Sequence, residues 1–395
     1  MSITNERVDD IPVILEQLRE MGVAELLDQQ FRTHGHWRGL SLGQVVDAGL
    51  TPILSEANHR VNHVRPWVAE RMETLRGRIG PTLEERDFTD DRLALVLRAL
   101  SDDTQWEGFE RLLNERIIRV YDVMEKPGVG SDSGENSGKT QEAGQVRVDG
   151  TTVSSYGKIT EKGLLQRGHS KDHRPDLGQL KVMLATLDPL GMPLVTVVAP
   201  GNRSDDPLYV PTIKQVQAGL SRPGLLYVGD CKMMALATRA HLQATGDDYL
   251  GPLSEALGPT SQREHDLEPV WKGEQKLTSI ERPDERGDLQ GVAEGFEIEV
   301  TLTAVTNGVP LTWVERRLLV QSLSQAAAQE ASLRDRLGKA QAEIQALTER
   351  GRGKRRYREG EALTEAAQAI LQRRKVSGLL KLEIEEISSE RTVRA

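Results

Sequence analysis

The sequence predicts an α/β protein with a helical amino-terminal region, and three observations support this class. Apolar residues recur at three- and four-residue spacing through residues 8–125, which is the period of amphipathic helices. Strand-like apolar runs follow from residue 145, with helix-period segments between and after them. A second group of strand-like runs spans about residues 293–321. A chain of 395 residues exceeds one average domain, so two or three domains are expected.

The composition excludes several classes of protein. No apolar run approaches the roughly 18 residues that a membrane span needs. Residues 1–10 lack the basic and apolar regions of a secretory signal. The single cysteine, Cys231, excludes an internal disulfide and fits a reducing cytoplasm, where we expect the protein to act.

The charge is unevenly distributed along the chain. The net charge of −9 excludes a polycationic coat for DNA. Residues 147–241, however, hold 12 Lys and Arg against 8 Asp and Glu, a local charge of +4. Residues 301–395 hold 17 against 12, a local charge of +5. Basic faces of this kind can contact phosphate even in an acidic protein.

Residues 1–125 are predicted to form the helical amino-terminal domain. Thr-Asp-Asp at residues 89–91 stands before an apolar-periodic run and is a candidate cap. Trp67 and Trp106 are expected in the core of this domain rather than as platforms for stacked bases. The next stretch, KPGVGSDSGENSGKTQEAGQ at residues 126–145, predicts a flexible linker because it has almost nothing to bury.

Residues 146–250 are predicted to form the first part of an α/β core. Its strand-like runs read QVRVDGTTVSSYG, LKVMLATLD, PLVTVVAPG and GLLYVGD. Helices are predicted over residues 206–219, before the last run, and over residues 232–245, after it. Strands with so little polar alternation predict a sheet that is covered on both faces.

A β-rich segment is predicted over residues 251–321 and a helical continuation over residues 322–395. Asn307-Gly308 lies between two strand-like runs, which is a good signal for a hairpin turn. The helical part carries a short heptad seam, formed by Leu333, Leu337, Ala340, Ile344 and Leu347. Two heptads favour packing within the same domain over a zipper with a partner.

Two aspartates stand out because they lie at strand ends. Asp149 follows Val-Arg-Val, and Asp230 ends the run GLLYVGD. The carboxyl ends of parallel strands are where functional groups converge. Two such carboxylates can share a divalent cation, since Mg²⁺ takes oxygen ligands and often only one or two carboxylates with substrate phosphates. Alternatives remain open, because Asp230 can cap the following helix and Asp149 can form a turn.

A phosphatase of the haloacid-dehalogenase type is the competing interpretation of these motifs. DGT at residues 149–151 and GD at residues 229–230 are similar to parts of that family's motifs D-x-D-G-T and G-D-x-x-x-D. Its nucleophilic aspartate would fall on Arg147 and its later aspartate on Met234. Arginine cannot form the aspartyl-phosphate that this chemistry requires, so the interpretation is rejected.

A more distinctive stretch is RGHSKDHRPDLGQLKVMLATLDPLGMPLVTVVAPGNRSDDPLY. With ILSEANHRVNHVRPWV and FTDDRLALVLRALSDD, it resembles the DDE transposases of bacterial insertion sequences, over about residues 8–390. The resemblance implies an RNase H-like mixed-sheet core with a β-rich insertion, preceded by an all-helical amino-terminal domain. In that family the first catalytic aspartate lies on the first strand, as in VRVDGTTVS, and the second ends the fourth, as in LLYVGDCKM. These positions correspond to Asp149 and Asp230.

The resemblance also implies an activity, which is metal-dependent DNA strand cleavage and strand transfer at the ends of a mobile element. Two Mg²⁺ or Mn²⁺ ions held by Asp, Asp and Glu would activate water, and then a DNA 3′-hydroxyl, for in-line attack. Asp149 and Asp230 would be catalytic residues and metal ligands. The implied partners are DNA, as element ends and target, and a second copy in a homodimer on paired ends.

The chain departs from the family at the third carboxylate. The expected pattern Y-x2-R-x3-E-x6-K, placed on Tyr357, has its arginine at Gly360 and its glutamate at Thr364, so it fails. The carboxylates of the β-rich segment are expected to be exposed strand residues instead: Glu294, Glu297, Glu299 and Glu315. We therefore expect a truncated carboxyl terminus. The product is then either a transposase that is incomplete in this chain, or a catalytically inert DNA-binding or co-assembling remnant.

Four basic residues of the core are candidate DNA contacts, namely Lys171, Arg174, Arg203 and Arg239. Solvated surface charge is equally compatible with them.

Three further features of the sequence each allow two interpretations. GHSKDHRPD at residues 168–176 is favoured as a structural or DNA-contacting loop over a metal cluster, because its proline disfavours helix. Asp205 and Asp206 are expected to cap the helix after them rather than to bind metal. The basic stretch GRGKRRYR at residues 351–358 is interpreted either as a grip on the DNA backbone or as an exposed loop.

Overall fold

The structure is a computed structural model, and it describes residues 5–121, 144–171, 173–306, 308–349, 357 and 359–385. The chain divides into two compact units. The first comprises Met1–Thr260 with Thr303–Thr312, and the second comprises Ser261–Leu302 with Trp313–Ala395. The domain boundaries predicted at residues 125, 145, 250 and 321 stay predictions. Most of the predicted linker, residues 126–143, lies outside the described residues, and its last residue, Gln145, begins a strand.

The first unit begins with seven α-helices and a short 3₁₀ helix over the described part of residues 5–121. Two of the helices begin at side-chain caps, since Ser41 and Gln44 form a reciprocal capping box and the Asp102 carboxylate accepts the Gln105 N–H at 2.9 Å. Thr89 occupies the N-cap position of the helix that begins at Asp90, as predicted, but its side chain makes no capping bond. The bounds are α1 Ile11–Met21, α2 Val23–Gln30, α3 Leu42–Glu56, α4 Val61–Ala69, α5 Met72–Arg78, 3₁₀ Glu85–Phe88, α6 Asp90–Leu100 and α7 Asp103–Val120.

These helices enclose one apolar core. Trp67 is 2% exposed within it, and Trp106 packs against it beside Phe31 and Phe109. The core placement predicted for both tryptophans is confirmed. An amphipathic stripe from each helix supplies the remaining side chains, as the three- and four-residue spacing predicts.

A mixed five-stranded sheet follows in the same unit. The strand order is β3-β2-β1-β4-β5, in which β1 pairs antiparallel with β2 and parallel with β4. The β2–β3 pair is antiparallel and the β4–β5 pair is parallel. The strand bounds are β1 Gln145–Ser155, β2 Gly178–Leu187, β3 Met192–Pro200, β4 Leu226–Gly229 and β5 Asp248–Leu250.

Helix α8 (Asp206–Leu220) packs on β2 and β3, and α9 (Leu236–Thr245) packs on α8 and β5. Their apolar residues join alternate residues of the strands in a second core. At the open edge of β3, α7 provides two side-chain bonds. Asn114 donates to the Leu194 carbonyl, and Glu110 accepts from the Thr196 N–H at 3.0 Å. The α7 side chains thus satisfy backbone groups that an edge strand otherwise leaves unpaired.

The prediction that both faces of the sheet are covered is wrong. Burial alternates along β1, with Val146 and Val148 buried and Asp149 exposed. The neighbours on the same face as Asp149 are also exposed, with Leu184 at 38% and Val198 at 47%. The apolar content of the strands alone therefore gave the wrong prediction, because the face that carries Leu184 and Val198 is exposed.

Of the two helices predicted beside this sheet, one is confirmed and the other begins later than predicted. The helix predicted over residues 206–219 is confirmed as α8. The helix predicted over residues 232–245 begins four residues later, at Leu236. The Asp230 carboxylate accepts the Lys232 and Met233 N–H groups in a turn, and Ala235 has a non-helical ψ of 140°, so the helix begins only after it.

The elements from residue 260 onward are a helix, a three-stranded sheet in the order β6-β7-β8, and two more helices. Strands β7 and β8 are joined at residues 307–308, and Gly308 has φ +79°, as a tight hairpin turn requires; Asn307 itself lies outside the described residues. The bounds are α10 Thr260–Trp271, β6 Thr278–Pro283, β7 Leu289–Thr306, β8 Val309–Ser322, α11 Leu323–Ala346 and α12 Gly360–Arg373.

The heptad seam of α11 packs on α12. Ala340 is fully buried against Ile370 and Leu371, and the other four seam residues pack at the edge of this cluster. Packing within the same unit, which was the favoured interpretation, is confirmed. None of the helices in the described ranges is long and apolar enough to cross a membrane.

Candidate active site

Asp149 and Asp230 lie at neighbouring positions of the sheet. Asp149 is on β1, and Asp230 directly follows β4, its parallel neighbour. In the register of this pair Val148 is opposite Gly229, so the next residue on each chain segment brings the two aspartates side by side. Adjacent strands are about 4.8 Å apart. Both aspartates are exposed, so both carboxylates can reach a ligand from solvent.

The Asp230 carboxylate is held through one of its oxygens. Its Oδ1 accepts bonds from the Tyr209 hydroxyl at 2.7 Å, the Lys232 N–H at 2.8 Å and the Met233 N–H at 3.3 Å. The N-cap position of α9 is Ala235, so Asp230 stabilises the turn before the helix and does not cap it. Within the described residues its second oxygen, Oδ2, has no hydrogen bond, which leaves that oxygen for an external ligand.

The Asp149 carboxylate is held more simply. Its Oδ1 accepts the N–H of the next residue, Gly150, at 2.7 Å. Within the described ranges no other side chain bonds to it. The Lys171 ammonium donates to the Gly150 carbonyl, which places a positive charge one residue from Asp149. A ligand phosphate could contact the Lys171 ammonium while a divalent cation joins the phosphate to the two carboxylates.

Tyr209 connects α8 to this pair. It is 1% exposed, and burial is the main reason why its pKa lies well above the usual value. The bond to Asp230 and the negative charges of Asp230, Asp149 and Asp205 raise the pKa further. The hydroxyl is therefore protonated at neutral pH and donates to the carboxylate. No spacing signal in the sequence singles out Tyr209, because the contact depends on how α8 returns to the end of β4.

The structure distinguishes between the four basic residues predicted to contact DNA. Lys171, Arg174 and Arg203 are exposed. Arg174 makes two bonds to Asp176, at 2.9 and 2.8 Å, so it is less free to contact a phosphate. Arg239 is 2% exposed on α9. A buried guanidinium cannot contact a DNA backbone in this arrangement, and this part of the prediction is corrected.

The predicted caps of α8 are also corrected. Asp205 occupies the N-cap position but makes no capping bond, because its carboxylate pairs with the buried Lys181 ammonium. Asp206 lies 3.9 Å from the Lys232 ammonium. Both acids near the Asp149 and Asp230 pair are thus matched with lysines.

The residues present fit a cation held by two carboxylates, and no third acid joins them in the part of the chain that the structure describes. Within the described ranges no group of three or more His, Cys, Asp and Glu side chains could hold a metal. Mg²⁺ is often bound by one or two carboxylates and substrate phosphates, so Asp149 and Asp230 alone are an acceptable protein donor set. Two acids of the β-rich segment have other partners, since Glu297 pairs with Arg316 at 2.7 Å and Glu315 with Arg317 at 2.9 Å. Glu315 is 7% exposed, so the expectation that it is an exposed strand residue is wrong.

Two of the remaining sequence features fall wholly or partly on residues that the structure does not describe. Asp172 and nearly all of the basic stretch at residues 351–358 lie outside the described residues.

Comparisons with known proteins place this site in no family. No family model and no curated protein matches the chain. Among solved structures, it is similar to the piggyBac transposase synaptic complex with hairpin DNA, at 12% identity and a TM-score of 0.26 over 75% of this chain and 50% of that one. It is also similar to the Mos1 strand transfer complex, at 14% identity and a TM-score of 0.21 over 63% of this chain and 83% of that one.

The match to piggyBac spans only half of that protein's length. Likeness at this level carries no argument about function, which rests instead on the residues of the site.

Proposed function

We propose that the chain is an insertion-sequence transposase that cleaves and joins DNA with Asp149 and Asp230 as ligands of a divalent metal. One observation carries the proposal. The two aspartates that the family resemblance selects, on a first strand and at the end of a fourth, lie side by side on β1 and after β4. The strand order β3-β2-β1-β4-β5 supports an RNase H-like core, because it places the first and fourth strands next to each other.

The chain's own residues supply positioning and charge. Tyr209 and the turn at residues 232–233 orient the Asp230 carboxylate, while Lys171 and Arg203 offer positive charge for DNA phosphates. Mg²⁺ or Mn²⁺, when bound, would supply activation of the attacking oxygen and stabilisation of the leaving one. In hydrolysis the water oxygen bonds to phosphorus and the bond to the DNA 3′-oxygen breaks, which leaves a 3′-hydroxyl. In strand transfer that hydroxyl attacks a target phosphodiester in the same way.

The test is strand cleavage on DNA that carries the sequences flanking the gene, with Mg²⁺ or Mn²⁺. We expect Asp230→Asn and Asp149→Asn each to reduce cleavage by orders of magnitude, because metal positioning dominates this chemistry. Asp248→Asn, which changes an exposed aspartate on the neighbouring strand β5, serves as the matched control and should retain activity. Equal cleavage by the parent and Asp230→Asn would refute the assignment.

A second function is that of a catalytically inert DNA-binding or co-assembling protein. It is favoured by the observation that no third acid joins Asp149 and Asp230 within the described residues, whereas the family resemblance implies three. On this alternative the chain binds element-end DNA with a steep salt dependence and inhibits a complete transposase by co-assembly, but it does not cut. Binding without cleavage, equal in the parent and Asp230→Asn, would favour this alternative.

A further inference from the structure

A buried hydroxyl near the candidate site donates a hydrogen bond to an exposed acid. Tyr209 is 1% exposed, and its hydroxyl donates to Asp230 Oδ1 at 2.7 Å. Asp230 itself is exposed at the end of β4. The bond therefore connects the core under α8 to the carboxylate that faces solvent.

Three donors converge on this single oxygen. A carboxylate oxygen offers about two lone-pair positions, and Oδ1 accepts from Tyr209 and from the N–H groups of Lys232 and Met233. This saturation prevents Oδ1 from binding a cation. It also fixes the rotation of the carboxyl group, so that Oδ2 is directed away from the three donors and remains available.

We propose that Tyr209 is a positioning residue that aims Asp230 Oδ2 at the metal, an inference that rests on the proposed function. The two backbone donors to Oδ1 belong to one turn, at Lys232 and Met233. The tyrosine, from a different element, restrains it from the core. Groups that orient metal ligands in this way usually change metal affinity by about 10- to 100-fold when they are removed.

Tyr227 provides a matched control for the loss of a buried hydroxyl. It lies on β4, three residues before Asp230, and is fully buried. Its hydroxyl is buried without a hydrogen-bond partner within the described residues. Tyr227→Phe therefore removes a buried tyrosine hydroxyl, as Tyr209→Phe does, but this hydroxyl lies on β4 and bonds to neither Asp149 nor Asp230.

The experiment measures Mn²⁺ binding to the full chain without DNA, by electron paramagnetic resonance of the free ion. We expect Tyr209→Phe to bind Mn²⁺ about 10- to 100-fold more weakly than the parent, and Tyr227→Phe to bind as the parent does. Far-ultraviolet circular dichroism checks that each variant is folded. If Tyr209→Phe does not fold, Tyr209→Met, which also removes the hydroxyl and fills the space, carries the same expectation.

Asp230→Asn separates the possible failures. If this variant loses Mn²⁺ binding while Tyr209→Phe binds as tightly as the parent, the positioning role is overturned and the proposed function stands. If Asp230→Asn binds Mn²⁺ as the parent does, no metal site exists at this carboxylate, and both proposals fail.

A double variant excludes a purely structural effect. Because Tyr209 acts through Asp230, adding Tyr209→Phe to Asp230→Asn should cause no further loss of Mn²⁺ affinity. A further loss of the full 10- to 100-fold would show that the tyrosine acts through the fold and not through this carboxylate.

Discussion

Asp47 in the helical part of the first unit is a partly buried acid whose ionisation should weaken the fold. Its Oδ1 is buried on α3 without a hydrogen-bond partner within the described residues. Burial, and secondly the charge of Asp28 on α2, raise the pKa of Asp47 from 3.8 to about 7. Asp28 is itself held by the Gly43 N–H at 2.8 Å, so its charge stays close to α3.

The sign and size of the effect follow from linkage. The unfolded chain releases the Asp47 proton near pH 3.8, whereas the folded chain keeps it until about pH 7. The contribution of Asp47 to the free energy of unfolding is therefore fully present below the unfolded-state pKa of 3.8, and it is lost as the pH rises through the folded-state pKa of about 7. The pKa rises by roughly 3, and one step in pKa equals about 1.36 kcal/mol, so the loss reaches at most about 4 kcal/mol.

Asp47→Asn removes this dependence because the amide does not ionise. The amide adds a buried N–H₂ group that costs about 1–3 kcal/mol if it is unpaired. We therefore expect the variant to be less stable than the parent near pH 4.5 and equal or more stable at pH 8. Urea unfolding followed by tryptophan fluorescence at pH 4.5, 6, 7 and 8 measures the difference. Asp103→Asn, at an exposed position on α7, is the control. Parallel pH profiles for parent and Asp47→Asn would refute the reasoning.

Three further changes test the packing. Asp205→Ala leaves the Lys181 ammonium buried without its partner, so urea unfolding should show a loss of about 3–5 kcal/mol; a loss below about 1 would contradict the pairing. Burial raises the pKa of Glu110, so the contribution of this carboxyl group to folding stability is lost as the pH rises. Glu110→Gln should thus raise the Tm at pH 8 but not at pH 4, and an equal change at both would contradict this. Ile370→Ala should cost about 2–5 kcal/mol in the α11–α12 packing, read as lost circular dichroism on mild heating; unchanged unfolding would contradict that contact.

The placement of the two aspartates could be predicted from the sequence because it depends on local signals. A glycine adjoins each aspartate, and Asp230 ends an apolar run as predicted, but Asp149 lies within β1, which continues to Ser155, so the predicted strand end is wrong for Asp149. Because β1 and β4 are parallel neighbours with Val148 opposite Gly229, the next residue of each segment still falls beside the other. The strands were therefore enough to bring Asp149 and Asp230 side by side, although their role as metal ligands stays a proposal.

The rest of the site could not be predicted because it depends on contacts between distant elements. Tyr209 reaches Asp230 only through the packing of α8. Arg239 looked like any other basic residue, since an α-helix that carries a basic side chain can direct it to solvent or to the core, and the core contacts of α9 decide. The start of α9 was misplaced because the Asp230 turn competes with the helix for the N–H groups of residues 232 and 233.

Whether Asp149 and Asp230 hold one divalent cation between them, as we propose, is tested most directly by a map of local cleavage around the bound ion. Fe²⁺ that replaces Mg²⁺ generates hydroxyl radicals with ascorbate and peroxide, and these cut the polypeptide next to the bound ion. We expect cuts near residues 149 and 230 together, and we expect Asp149→Asn or Asp230→Asn to abolish both cuts. Cuts at neither position, or a cut at one that survives loss of the other aspartate, would contradict the shared site.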